Sequence, residues 1–169
     1  FRSGLYDVVG REWFRHGAIP YRDLAEQKPP AVYVVHGCLN LILGDQTWGI
    51  RVVDLGLTLA GGVCLSLLAV PRGTPAPKGF LGLGALALTL LHLGFYDFWH
   101  TAQVDWLAAM FALFGLTAAS RLERPLLFSG AAALALAFAT LVKPTAVLFG
   151  VLGIGVAFLR LRADKQRLG

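Results

Sequence analysis

The chain has 169 residues, of which 56% are hydrophobic and 15% charged, with mean hydropathy +0.64 and a formal net charge of +5. That balance excludes an ordinary soluble domain and points to an all-α, polytopic membrane helix bundle, in which lipid takes the place of water around most of the chain. The basic residues sit at the ends of apolar segments instead of forming one stripe interleaved with aromatics, so no nucleic-acid partner is expected.

Phe1 to Asp45 is amphiphilic. Leu5, Val8, Val9 and Trp13 recur near helical period and predict a helix from Ser3 to Phe14, stopped by Gly17 and Pro20. No apolar signal-peptide core is present there, and because the chain starts at Phe1 and its one methionine is Met110, it is expected to be a fragment or processed product that lacks an upstream span. The polar stretch from Tyr21 to Tyr33 carries Asp23, Glu26 and Lys28 directly ahead of Pro29 and Pro30, which stiffen the backbone and push Lys28 toward an extended conformation. A short helix is then expected from Ala31 to Leu43. Its polar residues Tyr33, His36 and Asn40 share one face opposite Val32, Val35, Leu39 and Ile42, the pattern of a helix lying in a membrane interface.

Residues 1–47 therefore read as an extracytoplasmic loop region with juxtamembrane helices, and residues 48–169 as a transmembrane domain of five spans: 48–70, 79–96, 104–120, 126–141 and 145–159. Arg51 and Asp54, one turn apart, are placed to pair at the membrane edge. Arg72, Lys78, Arg121, Arg124, Arg160, Arg162, Lys165 and Arg167 fall on one side with only Glu123 and Asp164, a net of +6, while the other side nets −1. The positive-inside tendency makes the first side cytoplasmic, and a bacterial inner-membrane, multi-pass protein is expected. The Tyr21 to Tyr33 stretch, the 97–105 loop and Lys143 then share the outer face, along with an interfacial belt of Trp13, Phe14, Phe95, Tyr96, Phe98, Trp99 and Trp106.

No nucleotide, metalloprotease or serine-hydrolase motif is present; Gly82-Leu-Gly84 does not complete a dinucleotide fingerprint, and Cys38 and Cys64 stand in no metal register, so no cofactor or metal is indicated. Chemistry is expected at the outer charged groups. Asp105 is either a helix N-terminal carboxylate or a cavity-facing acid with His100 and Gln103 beside it. Lys143 and Lys28 are either snorkelling lysines or partners for an anionic group, and Asp23 either ties its turn or acts as a base, with Asp7 as the second candidate. Two carboxylates and two lysines around one outer cavity suit a donor whose leaving group is a phosphate.

Gly17 to Asp23, Gln27 to Pro30, Gly44 to Asp54, Ala102 to Ala108 and Leu141 to Thr145 together resemble the GT-C class of membrane glycosyltransferases. The likeness is to the bacterial branch similar to dolichyl-phosphate-mannose–protein mannosyltransferases and lipid A aminoarabinose transferases. The resemblance implies a polyprenyl-phosphate-linked sugar donor and a lipid, glycan or protein acceptor, with membrane lipids around the spans. It implies donor-phosphate contact at Lys28 and an acidic site residue at Asp105; substrate contacts are also expected from Tyr21, Arg22, Gln27, His100, Gln103 and Lys143. Where the family carries its catalytic aspartate, four residues before the position of Tyr6, this chain has Arg2. Asp7, Asp23 or an acid further upstream is left to fill that role. A transporter or flippase of lipid-linked or anionic solutes is the alternative, and an inactive structural subunit a third.

Overall fold

The computed structural model describes residues 2–24, 28–44, 47–71, 73–95, 104–121 and 125–168. Among these the chain is all-helical: α1 (Arg2–His16), α2 (Pro30–Leu43), α3 (Thr47–Ala69), α4 (Lys78–Phe95), α5 (Val104–Arg121), α6 (Pro125–Val142), a 3-10 turn (Pro144–Ala146) and α7 (Val147–Leu168). The boundaries follow the punctuation in the sequence. Gly17, at φ 72°, ends α1, and its amide and that of Ala18 donate to the Trp13 and Glu12 carbonyls. Pro30 opens α2, where its missing N–H costs nothing, and Gly44 at φ 73° closes it. Lys143, before a proline, is held extended at φ −144°, ψ 114°, which breaks α6 from α7. α7 runs on through the basic stretch to Leu168, past the expected stop at Leu159, because Leu, Arg, Ala, Lys and Gln are all good helix formers.

α5 is central, packed against α3, α6 and α7; α4 lies on α3, and α1 and α2 form a pair that meets the rest through α6 and α3. Small residues set the closest approaches. A Cβ on Gly62 of α3 would stand 2.4 Å from the Gly84 carbonyl oxygen of α4. A Cβ on Gly10 would stand 2.6 Å from the Gly37 nitrogen and 2.7 Å from the Tyr33 oxygen, so α1 and α2 touch backbone to backbone.

The distribution of polarity is inverted relative to a soluble bundle. His36, Asn40, Asp54, Thr58, Ser66, Thr89, His92 and Thr117 are buried, whereas large apolar side chains such as Leu90, Leu134, Leu148 and Ile154 point outward, the last 72% exposed. α3 is long and apolar enough to cross a membrane (Trp48–Ala69, mean hydropathy 2.0); the apolar stretches of α4 to α7 among the described residues are shorter.

α2 does not sit as the sequence pattern predicts. Tyr33, His36 and Asn40, the polar face, are buried; of the apolar face Val32 is buried too, whereas Ile42 is 76% exposed. The reason is α1: Asp7 faces His36 and its carbonyl accepts from Asn40, while Gly10 lets the two helices close on that face.

Candidate functional site

The candidate residues are held by three pieces of structure. The first is the turn at residues 19–24. Tyr21 sits at φ +70°, a left-handed conformation that a tyrosine adopts only under constraint. Asp23 supplies the constraint. Its Oδ2 accepts the Ile19 amide at 2.8 Å, and its backbone amide donates to the Ile19 carbonyl at 2.9 Å. Arg22 grips the same carboxylate through Nε at 2.9 Å and Nη2 at 2.8 Å. The Arg22 guanidinium and the Ile19 amide hold the Asp23 carboxyl down at about 2, and the carboxylate in turn raises the guanidinium's pKa. A carboxylate so stabilised is a turn tie and a weak base. Tyr21 acts as a strut, its hydroxyl donating to the Lys28 carbonyl while its ring meets Tyr33 edge-on, centroids 6.4 Å apart. The Lys28 side chain is left exposed beside Pro29. Gln27 lies outside the described residues.

The second piece is the α1–α2 contact. Asp7 faces His36, with Oδ1 3.9 Å from Nδ1, and Asn40 donates to the Asp7 carbonyl at 3.2 Å; Arg15 donates to the Asn40 carbonyl at 2.8 Å. His36 and Asn40 are buried, and Asp7, partly buried, lines with them a tight crevice that Leu39, Leu43, Gly44 and Ile50 complete. His36 beside it, then Asn40 and the Arg11 charge, outweigh burial and hold the Asp7 carboxyl below its usual range. Tyr6 packs on both Tyr33 and His36, at 6.2 and 5.8 Å between ring centroids.

The third piece joins α5 to the α6–α7 break. Lys143 donates from Nζ to Asp105 Oδ1; the Asp105 side chain is largely exposed and that of Lys143 about half so. An ion pair this open to solvent stabilises the fold by at most about 1 kcal/mol, so either partner can leave it for a ligand at small cost. His100 and Gln103 lie outside the described residues.

These pieces share one foundation. Tyr6 and Val9 of α1, Ala31 to Tyr33 of α2, Val104 and Ala108 of α5, Ala139 and Val142 of α6, and Ala146 form a single buried cluster. Asp7, Asp105 and Lys143 each adjoin a member of it in the chain, and Lys28 lies three residues before one.

The structure also holds a polar network the sequence pattern did not single out. Asp54 of α3 pairs with His92 of α4, Oδ2 to Nε2 at 2.9 Å, both buried. Its partner is thus 38 residues away and not Arg51 alone, one turn back. Trp106 stacks on the His92 ring at 4.1 Å and 16°, and its indole N–H donates to Thr58 Oγ1 at 2.9 Å. Trp106 is thus half-buried against α3 and α4. The available signal was that Asp54 and His92 are ionisable groups inside apolar helices, where charge is expensive and kept for a purpose. Among the described residues no three His, Cys, Asp or Glu side chains gather as metal ligands would.

Comparison with family models, curated proteins and solved structures finds no match. The site must be read from its own chemistry.

Proposed function

We propose that the chain belongs to a multi-pass protein of the bacterial cytoplasmic membrane that transfers a sugar from a polyprenyl phosphate to an acceptor hydroxyl or amine at the extracytoplasmic face. The observation that carries this reading is one buried cluster whose members directly precede Asp7, Asp105 and Lys143 in the chain, with Lys28 three residues ahead of another. In this reading two carboxylates and two lysines from separate segments serve one site, of which the Asp105–Lys143 pair is one part. The outward apolar side chains and inward polar ones support a lipid environment, the asymmetry of loop charge supports the orientation, and the likeness of the quoted motifs to GT-C enzymes supports the donor class.

In this reading Asp7 is the base. Asp23 is paired with Arg22 and Asp105 with Lys143, whereas Asp7, among the described residues, lines a crevice beside His36 and Asn40. Asp7 takes the acceptor's proton as the acceptor atom bonds to the anomeric carbon; the bond from that carbon to the phosphate oxygen breaks, and the polyprenyl phosphate leaves with the electron pair. Lys28 and Lys143 stabilise the phosphate as its charge grows, Lys143 exchanging Asp105 for it. Attack opposite the leaving group inverts the anomeric centre. Lys28→Ala in the full-length protein tests the phosphate contact: transfer is expected to fall and donor affinity to weaken, and undiminished transfer with unchanged affinity sinks that role.

One observation favours a second reading. The buried Asp54–His92 pair is of the kind that transporters of anionic or lipid-linked solutes carry within their spans. Solute uptake by sealed proteoliposomes containing the protein, lost in Asp54→Asn, supports transport; sugar transfer without uptake supports the enzyme.

A further inference from the structure

Asp54 and His92 lie outside the proposed chemistry, yet burying an acid–base pair among apolar helices costs more than packing leucines there. What the pair does is visible in what it holds. His92 is fixed by Asp54 at 2.9 Å and offers its ring face to Trp106 at 4.1 Å. Thr58, whose hydroxyl donates to the Asp54 carbonyl at 2.8 Å, accepts the Trp106 indole N–H at 2.9 Å. One indole is therefore held by its face from α4 and by its edge from α3, which leaves it a single rotamer. Trp106 stands in the first turn of α5, and Asp105 is the residue before it. Fixing Trp106 fixes the rotation of that turn, and with it the direction in which Asp105 meets Lys143.

We propose that Asp54, Thr58, His92 and Trp106 form a brace of positioning residues that aims Asp105 at Lys143 and so sets Lys143 for the donor phosphate. The last step rests on the transferase reading; the aiming of Asp105 does not. A stabilising contact alone would need no hydrogen bonds of such direction, and Asp105–Lys143, being open to solvent, cannot hold its own geometry.

The test replaces Asp105 and Lys143 by cysteine in full-length protein lacking Cys38 and Cys64, and reads cross-linking in membranes by a short bifunctional thiol reagent. A contact at the tip of a lysine leaves the backbones beyond sure disulfide reach. The brace predicts ready cross-linking in this parent, a several-fold loss with His92→Ala, and recovery with His92→Gln, whose amide still donates to Asp54. Thr89→Ala, a buried change on the same helix outside the brace, is expected to leave cross-linking intact. Equal cross-linking in parent and His92→Ala overturns the proposal, as does Thr89→Ala acting like His92→Ala, or His92→Gln failing to recover. If His92→Ala does not fold, Trp106→Phe, which keeps a stacking ring and loses the indole N–H, and Thr58→Val read the brace from its other end. Separately, with Asp105 and Lys143 intact, His92→Ala is expected to raise KM for a polyprenyl-phosphate sugar about tenfold, the scale of one lost charge-assisted hydrogen bond. Loss of cross-linking in a protein that shows no transfer at all keeps the brace and discards the enzyme; transfer with unchanged cross-linking does the reverse.

Discussion

Gly10→Ala tests whether α1, which carries Asp7, owes its place to backbone contact with α2. The added Cβ would stand 2.6 Å from the Gly37 nitrogen and 2.7 Å from the Tyr33 carbonyl oxygen, with His36 Cβ at 3.1 Å. Ordinary carbon contacts begin near 3.5 Å, so the helices must part by roughly 0.8 Å. Two of the three obstacles are backbone, and no side-chain rotation relieves them. The Arg15–Asn40 bond at 2.8 Å and the Asn40–Asp7 bond at 3.2 Å both bridge the same gap, and a shift of that size takes them beyond hydrogen-bond range. Overpacking of this kind costs about 1–3 kcal/mol, and each bond left unmade adds about 1 kcal/mol. At about 2–4 °C per kcal/mol for a chain of this size, thermal unfolding in detergent should fall by several degrees. If Asp7 is the base, transfer falls more steeply than stability, because a misplacement near 1 Å is severe for a reacting group. A Gly10→Ala protein with parental melting temperature refutes the close α1–α2 contact. One that melts early but transfers normally refutes the placement of Asp7 at the chemistry.

Further outcomes follow from the same geometry. Asp7→Asn is expected to lower kcat by about 10²–10⁴-fold, whereas Asp23→Asn leaves most of the activity, since Asp23 ties its turn through the Ile19 amide and Arg22; steady-state kinetics separates them, and the reverse ranking would restore Asp23 as base. Because the Asp7 pKa is depressed in the fold, its contribution to stability is fully present above the ordinary value of 3.8 and is lost as pH falls through the lower folded value. The melting-temperature gap between parent and Asp7→Asn should therefore be constant near neutrality and close in acid below pH 3.8. Thr58→Val removes the acceptor for the Trp106 indole and should destabilise by about 1–3 kcal/mol in denaturant titration. Gly62→Ala, which drives a Cβ into the Gly84 carbonyl at 2.4 Å, should cost a similar amount through the α3–α4 contact.

The helices themselves were legible because the chain marks its own breaks. Gly17, Pro30, Gly44, Pro125 and the Lys143–Pro144 pair fall within a residue or two of helix ends, and apolar runs fill the spaces between. That Asp105 and Lys143 lie toward the same side was legible from loop alternation, although the bond between them was not. What the sequence hides is long-range pairing. Arg51 and Asp54 stand one turn apart and invite each other, but His92, 38 residues on, takes the Asp54 carboxylate. Local pattern carries no record of which helix will be the neighbour. The polar face of α2 misled for a related reason: amphipathicity tells that two faces differ, and not whether the polar one meets water or the partners that Asp7 and Arg15 supply. Trp106 read as a belt residue by position, and nothing local told that Thr58 would accept its indole proton or that His92 would stack on its ring.

The central claim is that these four charged groups serve phosphate-linked sugar transfer. The most direct measurement incubates the full-length protein in membranes with a polyprenyl-phosphate sugar labelled in the sugar, and follows the label. The account predicts that label leaves the polyprenyl carrier for an acceptor with inverted anomeric configuration, and that Asp7→Asn and Lys28→Ala each suppress the transfer in protein that still folds. Label that stays on its carrier with wild-type protein across acceptor mixtures, or moves across the bilayer with the sugar–phosphate bond intact, contradicts it.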